Sequence, residues 1–140
     1  MRVEDVMSRG LKTIEPNATI REAAKKMLRY EIGGLIVTSA FIIKGIITER
    51  DILDAFAKNK SPDILVSKIM TKKVHKVSHN TVLEEAAKIM LKYRVKRLPV
   101  VKDGKCVGIV TATDLITYEG RMIDEISLLF LLQKKQAQGA

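Results

Sequence analysis

Apolar residues return with a helical period at Ile20, Ala23, Ala24, Met27 and Leu28, the i, i+3, i+4, i+7, i+8 stripe of an amphipathic helix. Leu83, Ala86, Ala87, Met90 and Leu91 repeat that stripe and predict a second such helix. Both methionines are expected in the core. After each helix the pattern changes to paired apolar runs, Ile32 to Val37 with Phe41 to Ile47, and Leu98 to Val101 with Lys105 to Val110, which predict two hairpins. Asp103-Gly104 suits a tight turn whose two central residues need positive φ, while Thr38-Ser39-Ala40, without glycine, predicts a longer or looser one. A short extended stretch, Leu11 to Ile14, stops at Pro16. Thr19 with Glu22, and Thr81 with Glu84, are placed to cap the two helices. Another helix begins near Thr48 and runs through Ile52, Leu53, Ala55 and Phe56, matched from Thr111 through Leu115 and Ile116.

These elements are one unit written twice. A single offset of 63 residues carries Met7 to Met70, Glu22-Ala23-Ala24-Lys25 to Glu85-Ala86-Ala87-Lys88, Tyr30 to Tyr93, Gly45 to Gly108, Thr48 to Thr111 and Asp51 to Asp114, with no gap. The lead-ins Val3-Glu4-Asp5-Val6-Met7 and Val66-Ser67-Lys68-Ile69-Met70 match as well. The expected fold is mixed α/β (α+β): two tandem β-α-β-β-α repeats packed about a pseudo-twofold axis, residues 1–61 and 62–121, followed by a helical tail, 122–140. Lys58-Asn59-Lys60-Ser61-Pro62-Asp63 is the linker. One repeat buries too small a core to stand alone, so the pair is expected to fold together.

At 46% hydrophobic the chain is too apolar for disorder. Met1-Arg2-Val3-Glu4-Asp5 is followed by no apolar run and no segment approaches the length of a membrane span, so neither signal peptide nor membrane segment is expected. Cys106 is the only cysteine and lies in an apolar strand-like run, which suits a buried residue in a reducing, cytoplasmic setting. The net charge of +9 favours anionic partners, with much of the excess between Lys68 and Arg97, although solvated lysines on helix faces account for most of it. The chain has no Gly-x-Ser-x-Gly elbow, no P-loop and no His-Glu-x-x-His helix, so catalysis is not expected. His75 and His79 lack the neighbours of a metal site and are expected at the surface, with no metal bound.

The duplicated ending Gly45-Ile46-Ile47-Thr48-Glu49-Arg50-Asp51 and Gly108-Ile109-Val110-Thr111-Ala112-Thr113-Asp114 carries the chemistry. An apolar strand passes through a threonine into the first turn of a helix, where unpaired amides attract phosphate. The threonine adds a hydroxyl, and a carboxylate three residues on can take both hydroxyls of a ribose. Thr-x-x-Asp is equally a capping pattern, in which the aspartate serves only the helix. Its occurrence twice in the same setting favours the nucleotide.

Element order and motifs together resemble the cystathionine-β-synthase (CBS) domain pair, or Bateman module, over about residues 1–120. The resemblance is carried by Asp5-Val6-Met7-Ser8, the Glu-Ala-Ala…Met helices, Val95-Lys96-Arg97-Leu98-Pro99-Val100 and both Gly-to-Asp endings. It implies a regulatory module that holds adenine nucleotides in clefts between its repeats and pairs into flat homodimers. One cleft would use Thr48 and Asp51, the other Thr111 and Asp114, with Ile46 or Ile109 against the nucleotide. Adenine would lie against Met7, Lys12, Ile32 and Gly34 in the Asp114 cleft, and against Met70, His75 and Val95 in the Asp51 cleft. Lys96 and Arg97 match positions that face phosphate in the family, where arginine can offer two donors at once. Repeat one has Gly33 and Gly34 there, so Arg50 is the basic residue expected to compensate, and the two sites are expected to differ.

The expected ligand is AMP, ADP or ATP, with S-adenosylmethionine also open, and no cofactor is required. A regulated protein partner is left open. The competing reading is a basic nucleic-acid-binding or scaffolding domain, which the three Phe and three Tyr make a poor stacking surface. In the tail, Ile123, Ile126, Leu129 and Phe130 form one stripe while Leu128, Leu131 and Leu132 add apolar surface beyond it. Part of the tail is therefore expected to pack on its own module and part across a homodimer interface.

Overall fold

The computed structural model describes the backbone of residues 1–118 and 123–139. In chain order the elements are α1 (Val3–Val6), β1 (Thr13–Ile14), α2 (Ile20–Tyr30), β2 (Gly34–Ser39), β3 (Ile42–Thr48), α3 (Glu49–Ala57), a 3₁₀ turn (Val66–Lys68), β4 (Val77–Ser78), α4 (Leu83–Tyr93), β5 (Arg97–Lys102), β6 (Lys105–Thr111), α5 (Ala112–Tyr118) and α6 (Ile123–Gly139). They form two three-stranded sheets, β1-β2-β3 and β4-β5-β6. In each the first strand runs parallel to the second, through the intervening helix, and the second and third form an antiparallel hairpin.

The compact units cut across the sequence repeats. One, called here the Asp51 unit, is Lys12–Val74; the other, the Asp114 unit, joins Met1–Leu11 to His75–Ala140. Each lead-in therefore packs on the body of the other repeat. In the Asp114 unit, Ser8 and Ile109 exchange backbone hydrogen bonds of 2.9 and 3.0 Å, and the Val3 amide donates to the Thr81 carbonyl at 2.8 Å. In the Asp51 unit, Ile46 and Thr71 exchange a pair at 2.9 Å each, and the Val66 amide donates to the Ala18 carbonyl at 2.8 Å. Val3 and Val66 are fully buried at equivalent places in the two cores.

Glycine makes these contacts fit. A Cβ on Gly45 would stand 2.7 Å from the Thr71 carbonyl oxygen and 2.8 Å from the Met70 sulfur. One on Gly108 would stand 2.8 Å from the Ser8 carbonyl oxygen and 2.6 Å from the Met7 sulfur. Beside each glycine the ladder slips by one residue, bulging Lys44 in β3 and Val107 in β6.

Two local expectations are corrected. The first hairpin turn is not longer than the second: Ser39 faces Ile42, leaving Ala40 and Phe41 as a two-residue turn with φ of 51° and 67°. Asp103 and Gly104 hold the same places with φ of 52° and 77°. The matched bulges and ladders impose the turn, and the alanine and phenylalanine follow it at a local cost. Thr81 does not cap α4, which starts at Leu83 after an extended Val82 and has no side-chain cap. Arg2 bridges to Val82, so the lead-in holds that residue out of the helix and the 63-residue register prevails over cap chemistry. Thr19 and Glu22 do form the expected capping box on α2. Of the two stripes, Leu28 departs: it is 79% exposed, while Ile20, Ala23 and Met27 are buried.

Gly108→Ala and Gly45→Ala are expected to cost about 1–3 kcal/mol each through overpacking against the lead-in, read as a lower denaturation midpoint. Replacing Ala40-Phe41 by Asp-Gly, as in the second hairpin, should stabilise by about 1 kcal/mol, which the same measurement checks.

Candidate functional site

The strand ending and the helix start build the same small structure twice. At β3–α3, the Thr48 amide donates to Asp51 Oδ2 at 2.8 Å, the Thr48 hydroxyl to the same oxygen at 3.1 Å, and the Asp51 amide to Thr48 Oγ at 3.4 Å. At β6–α5, the Thr111 amide donates to Asp114 Oδ2 at 2.9 Å and the Asp114 amide to Thr111 Oγ at 3.1 Å. Both motifs are thus capping boxes, and all four side chains are half-buried. The cap engages only Oδ2. Among the described residues Oδ1 of either aspartate accepts no hydrogen bond, so capping and ligand contact do not compete for the same oxygen.

The helix starts offer an anion fewer amides than a bare N-terminus would. The Glu49 amide donates to the Gly33 carbonyl at 3.0 Å, and the Ala112 amide to the Lys96 carbonyl at 2.8 Å. The third amide of each helix is held by the threonine, which leaves those of Arg50 and Thr113 without a partner among the described hydrogen bonds. Those same bonds tie the start of the neighbouring strand to the motif: Gly34 lies opposite Thr48, and Arg97 opposite Thr111.

Each unit gathers its own set. The Asp114 unit holds Met7, His75, Val95, Lys96, Arg97, Ile109, Thr111 and Asp114, and the Asp51 unit holds Lys12, Ile32, Gly34, Ile46, Thr48, Arg50, Asp51 and Met70. Met7 packs on Gly108 and Met70 on Gly45, one residue before Ile109 and Ile46. The remaining adenine positions, Lys12, Ile32 and Gly34 for Asp114 and His75 and Val95 for Asp51, belong in each case to the other unit.

The basic residues are not equivalent. Arg97 and Arg50 are exposed and enter no ion pair among the described residues. Lys96 instead holds its ammonium 4.5 Å from the centre of the Phe130 ring on α6, and Lys12 lies 4.3 Å over Tyr30. The two histidines, expected at the surface, are each partly covered and engaged. His75 is half-buried and stacks on Tyr93 with ring centres 3.8 Å apart, while His79 Nδ1 lies 2.7 Å from Glu4 Oε2 and helps hold the lead-in. Sequence reading missed both partners, because each is distant along the chain from its histidine or on a different element. Among the described residues no cluster of three or more metal-ligating side chains occurs, and no helix is long and apolar enough to cross a membrane. Cys106 is buried, and burial raises its thiol above the ordinary value, against the lowering effect of backbone hydrogen bonds.

The CBS domain family matches residues 3–58 and 66–121. The CBS domain-containing protein YhcV of Bacillus subtilis is 35% identical over 114 residues, 81% of each chain. The inosine-5'-monophosphate dehydrogenase of Korarchaeum cryptofilum is 38% identical over 119 residues, 84% of this chain but 24% of that enzyme. The CBS domain pair of protein MJ0100, solved in complex with 5-methylthioadenosine and S-adenosyl-L-methionine, superposes with a TM-score of 0.74 at 33% identity, over 86% of this chain and 96% of that one. The chain belongs to the CBS-domain family, as a pair of CBS domains.

Removing a carboxylate should first disturb the cap. Asp114→Ala and Asp51→Ala are each expected to lower stability by about 1 kcal/mol, and Asp→Asn, which keeps a neutral acceptor, by less; thermal denaturation of the four variants tests the order.

Proposed function

We propose that this chain is a regulatory module that senses an adenosine-containing ligand and carries no catalytic activity of its own. The observation that carries the reading is the pair of half-buried aspartates, each fixed by its own helix cap through one oxygen while the other oxygen is unengaged among the described residues. A carboxylate held in this way is preorganised to accept ribose hydroxyls without losing side-chain freedom on binding. The complex of the MJ0100 domain pair with methylthioadenosine and S-adenosylmethionine supports the ligand class. AMP, ADP and ATP belong to that class and are the first ligands to compare with S-adenosylmethionine. No cofactor is needed for such a role, and the buried single cysteine suits a reducing cytoplasm.

The two halves are proposed to bind unequally. Arg97 sits opposite Thr111 at the start of β5, where the other unit has Gly34 opposite Thr48. Phosphate-bearing ligands are therefore assigned to Arg97, with Arg50 as the weaker counterpart at the first turn of α3, while Lys96 is occupied by Phe130. A ligand that binds the folded chain alone raises its melting temperature by mass action. A thermal-shift comparison of S-adenosylmethionine, methylthioadenosine, AMP, ATP and GTP tests the proposal; a shift with GTP but none with any adenosine ligand would overturn it.

Asp51→Ala and Asp114→Ala should each weaken the responding ligand by about 1–3 kcal/mol at one site, measured by titration calorimetry below the lowered melting point. Arg97→Glu should weaken AMP or ATP more than adenosine. Equal losses for the two would remove Arg97 from the phosphate.

A further inference from the structure

The two units exchange charge at one place beside the motif. In the Asp114 unit the first amide of α5 belongs to Ala112, which is buried, and donates to the carbonyl of Lys96. The equivalent pair in the Asp51 unit, joined by the same backbone bond, is Glu49 and Gly33. Glu49 lays its carboxylate against Gly33: a Cβ on that glycine would stand 3.5 Å from Glu49 Cδ and 3.6 and 3.7 Å from its two oxygens. An acid therefore fills the space from which the Lys96 side chain starts in the other unit, and the bare glycine admits it. Glu49 is exposed and enters no ion pair among the described residues.

A glutamate in the first turn also favours the positive end of a helix. That role is already filled, because Asp51 supplies a carboxylate to α3 as Asp114 does to α5, and α5 starts on Ala112 without a second one. What Glu49 changes is the field at the ligand side of the motif. Glu49, Arg50 and Asp51 leave that side one negative charge, whereas Lys96, Arg97 and Asp114 leave the matching side one positive charge. A phosphate drawn to the unpartnered Arg50 amide meets the carboxylate of the residue before it. The attraction of the Arg50 guanidinium is offset by the same group.

We infer that Glu49 keeps phosphate out of the Asp51 half, so that this half takes adenosine ligands without a phosphate while the Asp114 half takes phosphorylated ones. The inference rests on the proposed adenosine site and adds the chemical class that each half accepts. Selectivity of this kind comes from a built-in repulsion as much as from an attraction elsewhere.

Titration calorimetry of the full chain with adenosine and AMP, which differ only in the phosphate, tests this. Asp114→Ala silences one half, and the other is then expected to prefer adenosine. Adding Glu49→Gln, which keeps the shape and removes the charge, should move the AMP-to-adenosine affinity ratio about tenfold toward AMP. Gly33 has no left-handed φ, so Gly33→Lys with Glu49→Ala rebuilds the Lys96 and Ala112 pair and should move the ratio further. Salt screens exposed charges and should shift the two halves in opposite directions, toward AMP in Asp114→Ala and toward adenosine in Asp51→Ala. A ratio that Glu49→Gln leaves in place, or salt responses of the same sign in both halves, would overturn the inference. A wild type that binds neither adenosine nor AMP would overturn it too, whereas a rise in melting temperature with S-adenosylmethionine would still uphold the adenosine reading.

Discussion

The close approach of a lead-in backbone to a glycine in the third strand is the contact on which each unit depends. Gly45 and Gly108 admit Thr71 and Ser8 to paired hydrogen bonds with the residues that follow them, Ile46 and Ile109. Those residues stand two positions before Thr48 and Thr111. The lead-in therefore fixes the strand end just where it turns into the helix, and it brings Met7 or Met70 onto the same spot. Fold and candidate site share one set of contacts, because the segment that completes each core also flanks each motif.

A capping box and a ribose contact are usually set against each other as explanations of Thr-x-x-Asp. Here the geometry allows both. A carboxylate has two oxygens with several acceptor directions, and the cap takes one oxygen only. The cap restrains the aspartate before any ligand arrives, so local stability and preorganisation arise from the same hydrogen bonds. The helix N-terminus contributes less than its dipole suggests, since the Gly33 and Lys96 carbonyls already hold the first amide of each helix. Discrimination among anionic ligands then rests on side chains, and the repeats differ most there, with Arg97 in one and Gly34 in the other.

Duplication also makes the differences between the units informative. Equivalent positions have equivalent packing needs, so an apolar residue covered in one copy and exposed in the other marks a missing neighbour. Leu91 and Leu28 are such a pair. The tail supplies the neighbour in one unit, and its stripe of Ile126, Leu129 and Phe130 behaves as its periodicity predicts, while Leu128 and Leu131 stay exposed. Ile123, the first residue of that stripe, lies outside the described side chains.

Much of this protein is legible from sequence because its signals are local and occur twice. Helix stripes, hairpins, the Asp103-Gly104 turn, the Thr19 cap and the duplicated Thr-x-x-Asp all depend on residues a few positions apart, and a fixed 63-residue offset repeats the stripes, the hairpins and the Thr-x-x-Asp motif. Tertiary structure decided what depends on long-range pairing. Ala40-Phe41 adopts a turn that neither residue favours because the ladders and bulges on both sides fix its length. Val82 stays extended because Arg2 pairs with it. Lys96 turns to Phe130, and His79 to Glu4, because α6 and the lead-in bring those partners close from elsewhere in the chain. Which lead-in completes which core follows from the family resemblance and not from the residues themselves: both are apolar at the same positions and would fit either body, and it is the folded backbone that brings Ser8 to Ile109 and Thr71 to Ile46.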